Sequence, residues 1–150
     1  MGNIAKLVAL GQSLWMDNIQ RHLLENGETK ALIERGDIRG MTSNPTIFDR
    51  AISGTSDYHE ALTSLAWAGW DAEKIFWELA VEDVRQAADL FAPLYESSGG
   101  QDGYVSIEVS PLLANDTEAT FAQAQQLWAR VARPNIMVKI PATAATELGR

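Results

Sequence analysis

Cysteine is absent from this 150-residue chain, and histidine occurs only twice. The first absence excludes disulfide scaffolds and thiolate metal sites. The second leaves a histidine zinc centre or a Ser-His-Asp triad little to build on, because His22 and His59 lie far apart in helical stretches and read as solvated. No stretch approaches the roughly 18 consecutive apolar residues that span a bilayer. The N-terminal Met1-Gly2-Asn3-Ile4-Ala5-Lys6 has no signal-peptide core, and Lys6 stands where N-myristoylation needs Ser or Thr. Positive charge is also scarce: 12 Lys+Arg, scattered, face 20 Asp+Glu for a net charge of -8. Nucleic-acid affinity rests on clustered cations, so a nucleic-acid partner is not expected. Neither a Gly-x-Gly-x-x-Gly stretch nor a P-loop occurs. These absences lead to the expectation of a cytoplasmic protein with neither membrane nor nucleic acid as partner.

What remains is ordinary globular chemistry: 46% apolar and 21% charged residues, in a length that suits one core burying about 70% of the unfolded chain's surface. Short β-type runs alternate with helical periodicity, which favours parallel α/β architecture. Strands are expected at Ser13 to Asp17, Arg39 to Asn44, Gly103 to Val109 and Ile136 to Ile140. Between them, Asn18 to Glu25 reads as a helix stopped by Asn26-Gly27, and Thr29 to Arg35 as one stopped by Gly36. Asn44-Pro45 is an N-cap followed by proline at the first helical position, opening a helix through Ala51. Asp57 to Glu96 should form two helices parted at Gly69, with Phe76, Ala80, Val84, Ala87 and Phe91 as one inward stripe. Asn115 with Glu118 resembles a capping box opening a helix that turns Phe121, Ala124, Leu127 and Val131 inward. Trp67, Trp70, Trp77 and Trp128 are expected as packing residues, whereas Trp15 shares a strand face with Asp17.

Strand side chains alternate between faces. Leu14 and Met16 separate from Ser13, Trp15 and Asp17; Gly40, Thr42 and Asn44 share a face; Val105, Ile107 and Val109 separate from Ser106 and Glu108; Ile136, Val138 and Ile140 separate from Met137 and Lys139. A sheet covered on both faces should read almost wholly apolar. Here each strand carries a functional group near its C-terminal end, which suggests a barrel whose inner face converges on a site. Asp17, Thr42, Asn44, Glu108 and Lys139 would meet there.

Lys139 stands out because it lies in Ile-Met-Val-Lys-Ile-Pro. A lysine that attacks a carbonyl must be neutral, and moving such a pKa from about 10.4 to about 7 disfavours the ammonium by roughly 4–5 kcal/mol. Desolvation in a barrel is large enough to supply that. On the pattern alone, a buried ion pair of Lys139 with Glu108 or Asp17 explains the residue equally well. Asn44 is likewise explained by helix capping, and Asp17 or Glu108 singly by a solvated strand end.

The stretches Gly11 to Asn18, Gly40 to Phe48, Val105 to Ser110 and Val138 to Thr143 together resemble transaldolases, in order and across nearly the whole chain. The second carries a Thr-Ser-Asn-Pro signature and the fourth the Schiff-base lysine motif; the style is closest to the branch that includes fusions to phosphoglucose isomerase, although no isomerase segment occurs here. The resemblance implies a (β/α)8 TIM barrel of which residues 1–150 are the N-terminal half, a partial domain of about four β/α units. It implies a pentose-phosphate-pathway enzyme that transfers a dihydroxyacetone unit between sugar phosphates: sedoheptulose 7-phosphate, fructose 6-phosphate, glyceraldehyde 3-phosphate and erythrose 4-phosphate. Lys139 would form the Schiff base, Asp17 act as general acid/base, and Glu108 position a proton-relaying water, with Thr42, Asn44 and Ser106 binding substrate and no metal or organic cofactor.

The resemblance also puts the arginines and serine that hold the substrate phosphate in later strands, and expects a Glu-Gly that Ala144 to Arg150 lacks. A half barrel exposes two sheet edges, which invites self-association or a partner chain. A noncatalytic scaffold and a simple sugar-phosphate aldolase therefore stand as alternatives.

Overall fold

The computed structural model describes residues 3–143. The expected Glu-Gly comparison over 144–150 lies outside the described residues. Four parallel strands, β1 (Trp15–Asp17), β2 (Gly40–Thr42), β3 (Tyr104–Glu108) and β4 (Ile136–Lys139), pair in the order β1-β2-β3-β4. Sequential order with every pair parallel is the arrangement of half a (β/α)8 barrel, as expected. The strands are shorter than their apolar runs, because a ladder extends only as far as both partners continue.

Before β1, where the pattern predicts no element, Asn3–Ala9 forms a short helix, α1, that buries none of its residues. β1 leads to α2 (Arg21–Glu25) and α3 (Glu28–Glu34), and β2 to α4 (Pro45–Gly54), α5 (His59–Trp67) and the 26-residue α6 (Ala72–Ser97). A 3₁₀ turn (Pro111–Leu113) and α7 (Thr117–Val131) then connect β3 to β4. Side-chain caps set the starts: Asn44 Oδ1 accepts from Ile47 N at 2.9 Å, and Asp71 Oδ1 accepts from Lys74 N at 2.8 Å. The cap of α7 is Asp116, whose Oδ1 accepts from Ala119 N at 2.9 Å, and not the expected Asn115. Both residue types cap well; the preceding 3₁₀ turn brings the chain into helical register one residue later.

The sheet separates its faces as the alternation predicts. Met16, Met41, Val105 and Ile136 lie side by side, as do Ile107 and Val138. This face is the apolar one, and Met41, Val105, Ile107 and Ile136 are buried together with Ala80, Val84, Ala87 and Phe91 of the α6 stripe. Each large side chain so buried contributes about 1.5–3 kcal/mol. Phe76 is only partly buried beside them. In α7, Leu127 and Val131 turn inward as expected, but Phe121 does not: it is 62% exposed, and Thr120 is buried instead. Among the tryptophans, Trp77 is buried, while Trp67 and Trp128 are exposed, contrary to expectation. Trp67 is 87% and Trp128 50% exposed, so neither serves as a core residue.

Two buried polar ties join the layers. Asn135 Nδ2 donates to Ala88 O and to Gly103 O, both at 2.8 Å, fastening α6 to the ends of β3 and β4. Tyr58 OH donates to Asp83 Oδ2 at 2.6 Å, and Asp83 Oδ1 accepts from Arg21 Nε at 2.9 Å. The Arg21 backbone N–H also donates to Tyr58 OH, so α2, α5 and α6 meet at one cluster.

Candidate active site

The polar sheet face is built from two rows in register. Asp17, Thr42, Ser106 and Met137 are neighbours across all four strands, and Glu108 pairs with Lys139 one step nearer the C-terminal ends. Below them, toward the N-terminal ends, the Trp15 indole lies against Gly40: a Cβ at position 40 would stand 2.5 Å from Trp15 Cε2. Trp15 Nε1 donates to Ser13 Oγ at 3.0 Å, and Ser13 Oγ donates to Asp102, which also binds Arg39. An aromatic floor thus lies beneath the polar rows.

Lys139 Nζ lies 2.9 Å from Glu108 Oε2. The pair that the pattern allows does form, but it is not buried: the Lys139 side chain is 38% and that of Glu108 25% exposed. Among the described residues, the desolvation expected around Lys139 is therefore incomplete. Ser106 Oγ donates to Thr42 Oγ1 at 2.9 Å, with Ser106 buried. Thr42 and Ser106 thus brace each other one layer beneath the Glu108–Lys139 pair.

Asp17, Asn44 and Glu108 line one open cleft of about 490 Å³, together with Pro45, Thr46, Ile47, Arg50 and Pro111. Every expected site residue except Thr42, Ser106 and Lys139 thus borders the same space, and Lys139 adjoins it through Glu108. For Asn44 the capping and site readings are compatible. Its Oδ1 must face the Ile47 N–H, a donor, which leaves the amide Nδ2 as a donor for another partner.

Two residues had not been expected. Ser43 is fully buried on the opposite face, where its Oγ donates to Ser106 O at 2.7 Å and ties β2 to β3 just behind the site. Arg50 borders the cleft from the second turn of α4. The available signal was helical spacing, since Arg50 follows Thr46 by four residues on one helix face.

The most perturbed ionisable groups lie outside this cleft. Burial pushes the Asp83 carboxyl up, opposed by hydrogen bonds from Tyr58 and Arg21 and by the Arg21 charge. Burial, followed by the charge of Asp83, pushes the Tyr58 phenol well up. Among the described residues no group of three His, Asp or Glu is placed to hold a metal, and no helix is long and apolar enough to cross a membrane.

Against known proteins, residues 14–147 match the family described as transaldolase/fructose-6-phosphate aldolase. Among curated relatives, the transaldolase of Trichodesmium erythraeum is 43% identical over 141 residues, 94% of this chain and 37% of the relative. That of Thiobacillus denitrificans is 46% identical over 142 residues, 94% of this chain and 40% of the relative. That of Acidothermus cellulolyticus is 47% identical over 140 residues, 93% of this chain and 38% of the relative. The chain thus spans about two fifths of the length of these relatives.

Proposed function

The chain belongs to the transaldolase/fructose-6-phosphate aldolase family, a family of TIM barrels, and on that premise we propose that residues 1–150 form the N-terminal half of a transaldolase barrel. In this reading the protein transfers a dihydroxyacetone unit between sugar phosphates of the pentose phosphate pathway. A cytoplasmic setting accords with the cysteine-free chain.

The observation that carries the proposal is the adjacency of Lys139 and Glu108, 2.9 Å apart on one sheet face, with Asp17 and Glu108 bordering the same cleft. An amine must shed its proton before it attacks a carbonyl, and Glu108 is placed to receive that proton directly or through a water. Lys139 then adds to the ketose carbonyl, and loss of water leaves a protonated iminium. Asp17 takes the proton of the hydroxyl on the carbon beyond the scissile bond. The C–C electron pair flows into the iminium as the aldose departs. Addition of the resulting enamine to an acceptor aldehyde returns the proton from Asp17, and water relayed through Glu108 hydrolyses the new iminium. Two carboxylates in different surroundings suit two different protonation tasks. Thr42 and Asn44 contact the three-carbon unit, and Ser106 supports it through Thr42.

Incubating the chain with fructose 6-phosphate, reducing with borohydride and mapping the added mass tests this reading. A dihydroxyacetone-sized adduct on Lys139 is expected; its absence from folded protein would make this chain a scaffold without carbonyl chemistry. Product analysis with and without an acceptor aldehyde then separates transfer from simple aldol cleavage.

A further inference from the structure

Buried ion pairs are costly to assemble, since desolvation offsets most of their attraction, and apolar residues of similar volume serve stability as well. Arg21 and Asp83 nevertheless form such a pair, with the Asp83 side chain fully buried and that of Arg21 11% exposed. Arg21 is held by four contacts. Its Nε donates to Asp83 Oδ1 at 2.9 Å, its Nη2 to Glu82 Oε2 at 2.7 Å and its backbone N–H to Tyr58 OH at 3.3 Å, while its Cζ lies 4.7 Å from the centroid of the Tyr58 ring. A rigid guanidinium fork in such a setting fixes position more than it adds stability. What it fixes is the start of α2, where Arg21 is the first residue.

Asp17 gets little hold from its own strand. It is the last residue of β1, which has three residues and, among the described strands, pairs only with β2. Beyond it the chain passes through fully buried Ile19 and reaches Arg21. Four residues extend roughly 14 Å at most, so a displaced α2 start is felt at Asp17. We propose that Arg21 is a positioning residue for the carboxylate of Asp17, with Tyr58 at the head of α5 and Asp83 in α6 as its buried anchor. The inference rests on the reading above in which Asp17 takes the hydroxyl proton during C–C cleavage. Arg21 touches no reacting atom; it acts through the segment that carries Asp17. A misplacement of about 1 Å in a reacting group costs about a hundredfold in rate, so a clamp of this kind bears on the cleavage step.

Early-time borohydride trapping of the 150-residue chain with fructose 6-phosphate tests the assignment. Reduction before cleavage leaves a hexose-phosphate-sized adduct on Lys139, and reduction after it a dihydroxyacetone-sized one. A misaimed Asp17 slows cleavage alone, so the ratio of the larger adduct to the smaller rises; loss of folded protein lowers both and leaves the ratio unchanged. Replacing the pair by apolar residues, Arg21→Met together with Asp83→Leu, preserves the fold and should raise the ratio about tenfold or more. Tyr58→Phe, which leaves the ion pair in place, should raise it by a smaller factor, and decides the matter if the double variant does not fold. An unchanged ratio overturns the assignment while leaving the Schiff base intact. If the wild type traps no dihydroxyacetone-sized adduct, the proposed chemistry fails instead, and amide hydrogen exchange over residues 17–21 decides the anchoring alone. Exchange there about tenfold faster in the same variants, with the β3 amides unchanged, upholds it, and unchanged exchange over residues 17–21 overturns it.

Discussion

Glu108 and Lys139 are direct register partners on adjacent parallel strands, and their side chains meet at 2.9 Å on the polar sheet face. Because both are partly open to water, the pair contributes under about 1 kcal/mol to folding. Lys139→Met should therefore abolish borohydride trapping while leaving urea stability within about 1 kcal/mol of wild type. Retained trapping would end the Schiff-base account; unfolding would mean the pair is structural.

Gly40→Ala places a methyl group against the Trp15 ring, 2.5 Å from Cε2 and 2.6 Å from Cδ2. Overpacking of this kind costs about 1–3 kcal/mol. Thermal melts should show that loss, accompanied by a changed near-ultraviolet signal as the indole is displaced. A melt identical to wild type would mean the indole swings aside freely and does not form a fixed floor.

Tyr58→Phe removes the donor at 2.6 Å from fully buried Asp83 and the acceptor for the Arg21 amide. Leaving buried groups short of partners costs about 1–3 kcal/mol, which urea titration should register. A variant as stable as wild type would show that Arg21 alone satisfies Asp83.

Ala132→Gly should stabilise the fold. Ala132 closes α7 with φ +52°, a left-handed conformation that disfavours any Cβ and suits glycine. A gain of about 0.5–1 kcal/mol is expected after allowing for the greater freedom of glycine in the unfolded chain. A loss in denaturant titration would contradict this.

Acid sensitivity should trace partly to Asp102. Burial opposes its ionisation, but hydrogen bonds from Arg39 and Ser13 and the Arg39 charge outweigh that, holding the carboxyl below its usual value of 3.8. The unfolded chain then takes up this proton at a higher pH than the folded one. The stabilisation is complete above the unfolded value and is lost as pH falls through the lower folded value. The stability difference between wild type and Asp102→Asn should shrink as pH drops below about 4; a constant difference would refute the assignment.

The alternation of Val105, Ile107 and Val109 with Ser106 and Glu108 made the two-faced sheet legible, as did Lys139 within an apolar strand. Helix stops at Gly27, Gly36 and Gly69 were equally readable, since each adopts positive φ. Burial on outer helix faces was not. The composition of Trp67, Phe121 and Trp128 reports how strongly each prefers to leave water, but not whether another element packs against it. Arg21, Tyr58 and Asp83 could not be joined from the sequence either, because no local pattern links residues 25 and 62 positions apart. Arg50 reads as a solvated helix residue until the fold shows which cleft it borders.

The connection between β2 and β3 has a consequence for chain entropy. It carries three helices, so Thr42 and Ser106 meet across 64 residues, whereas Gly103 and Asn135 meet across 32. Loop-closure entropy grows only logarithmically, and a doubling adds about 0.6 kcal/mol. The extra length of the excursion through α4, α5 and α6, relative to the shorter connection, thus costs about what a single hydrogen bond contributes. It still delivers the Phe91 stripe to the back of the sheet and Arg50 to its front.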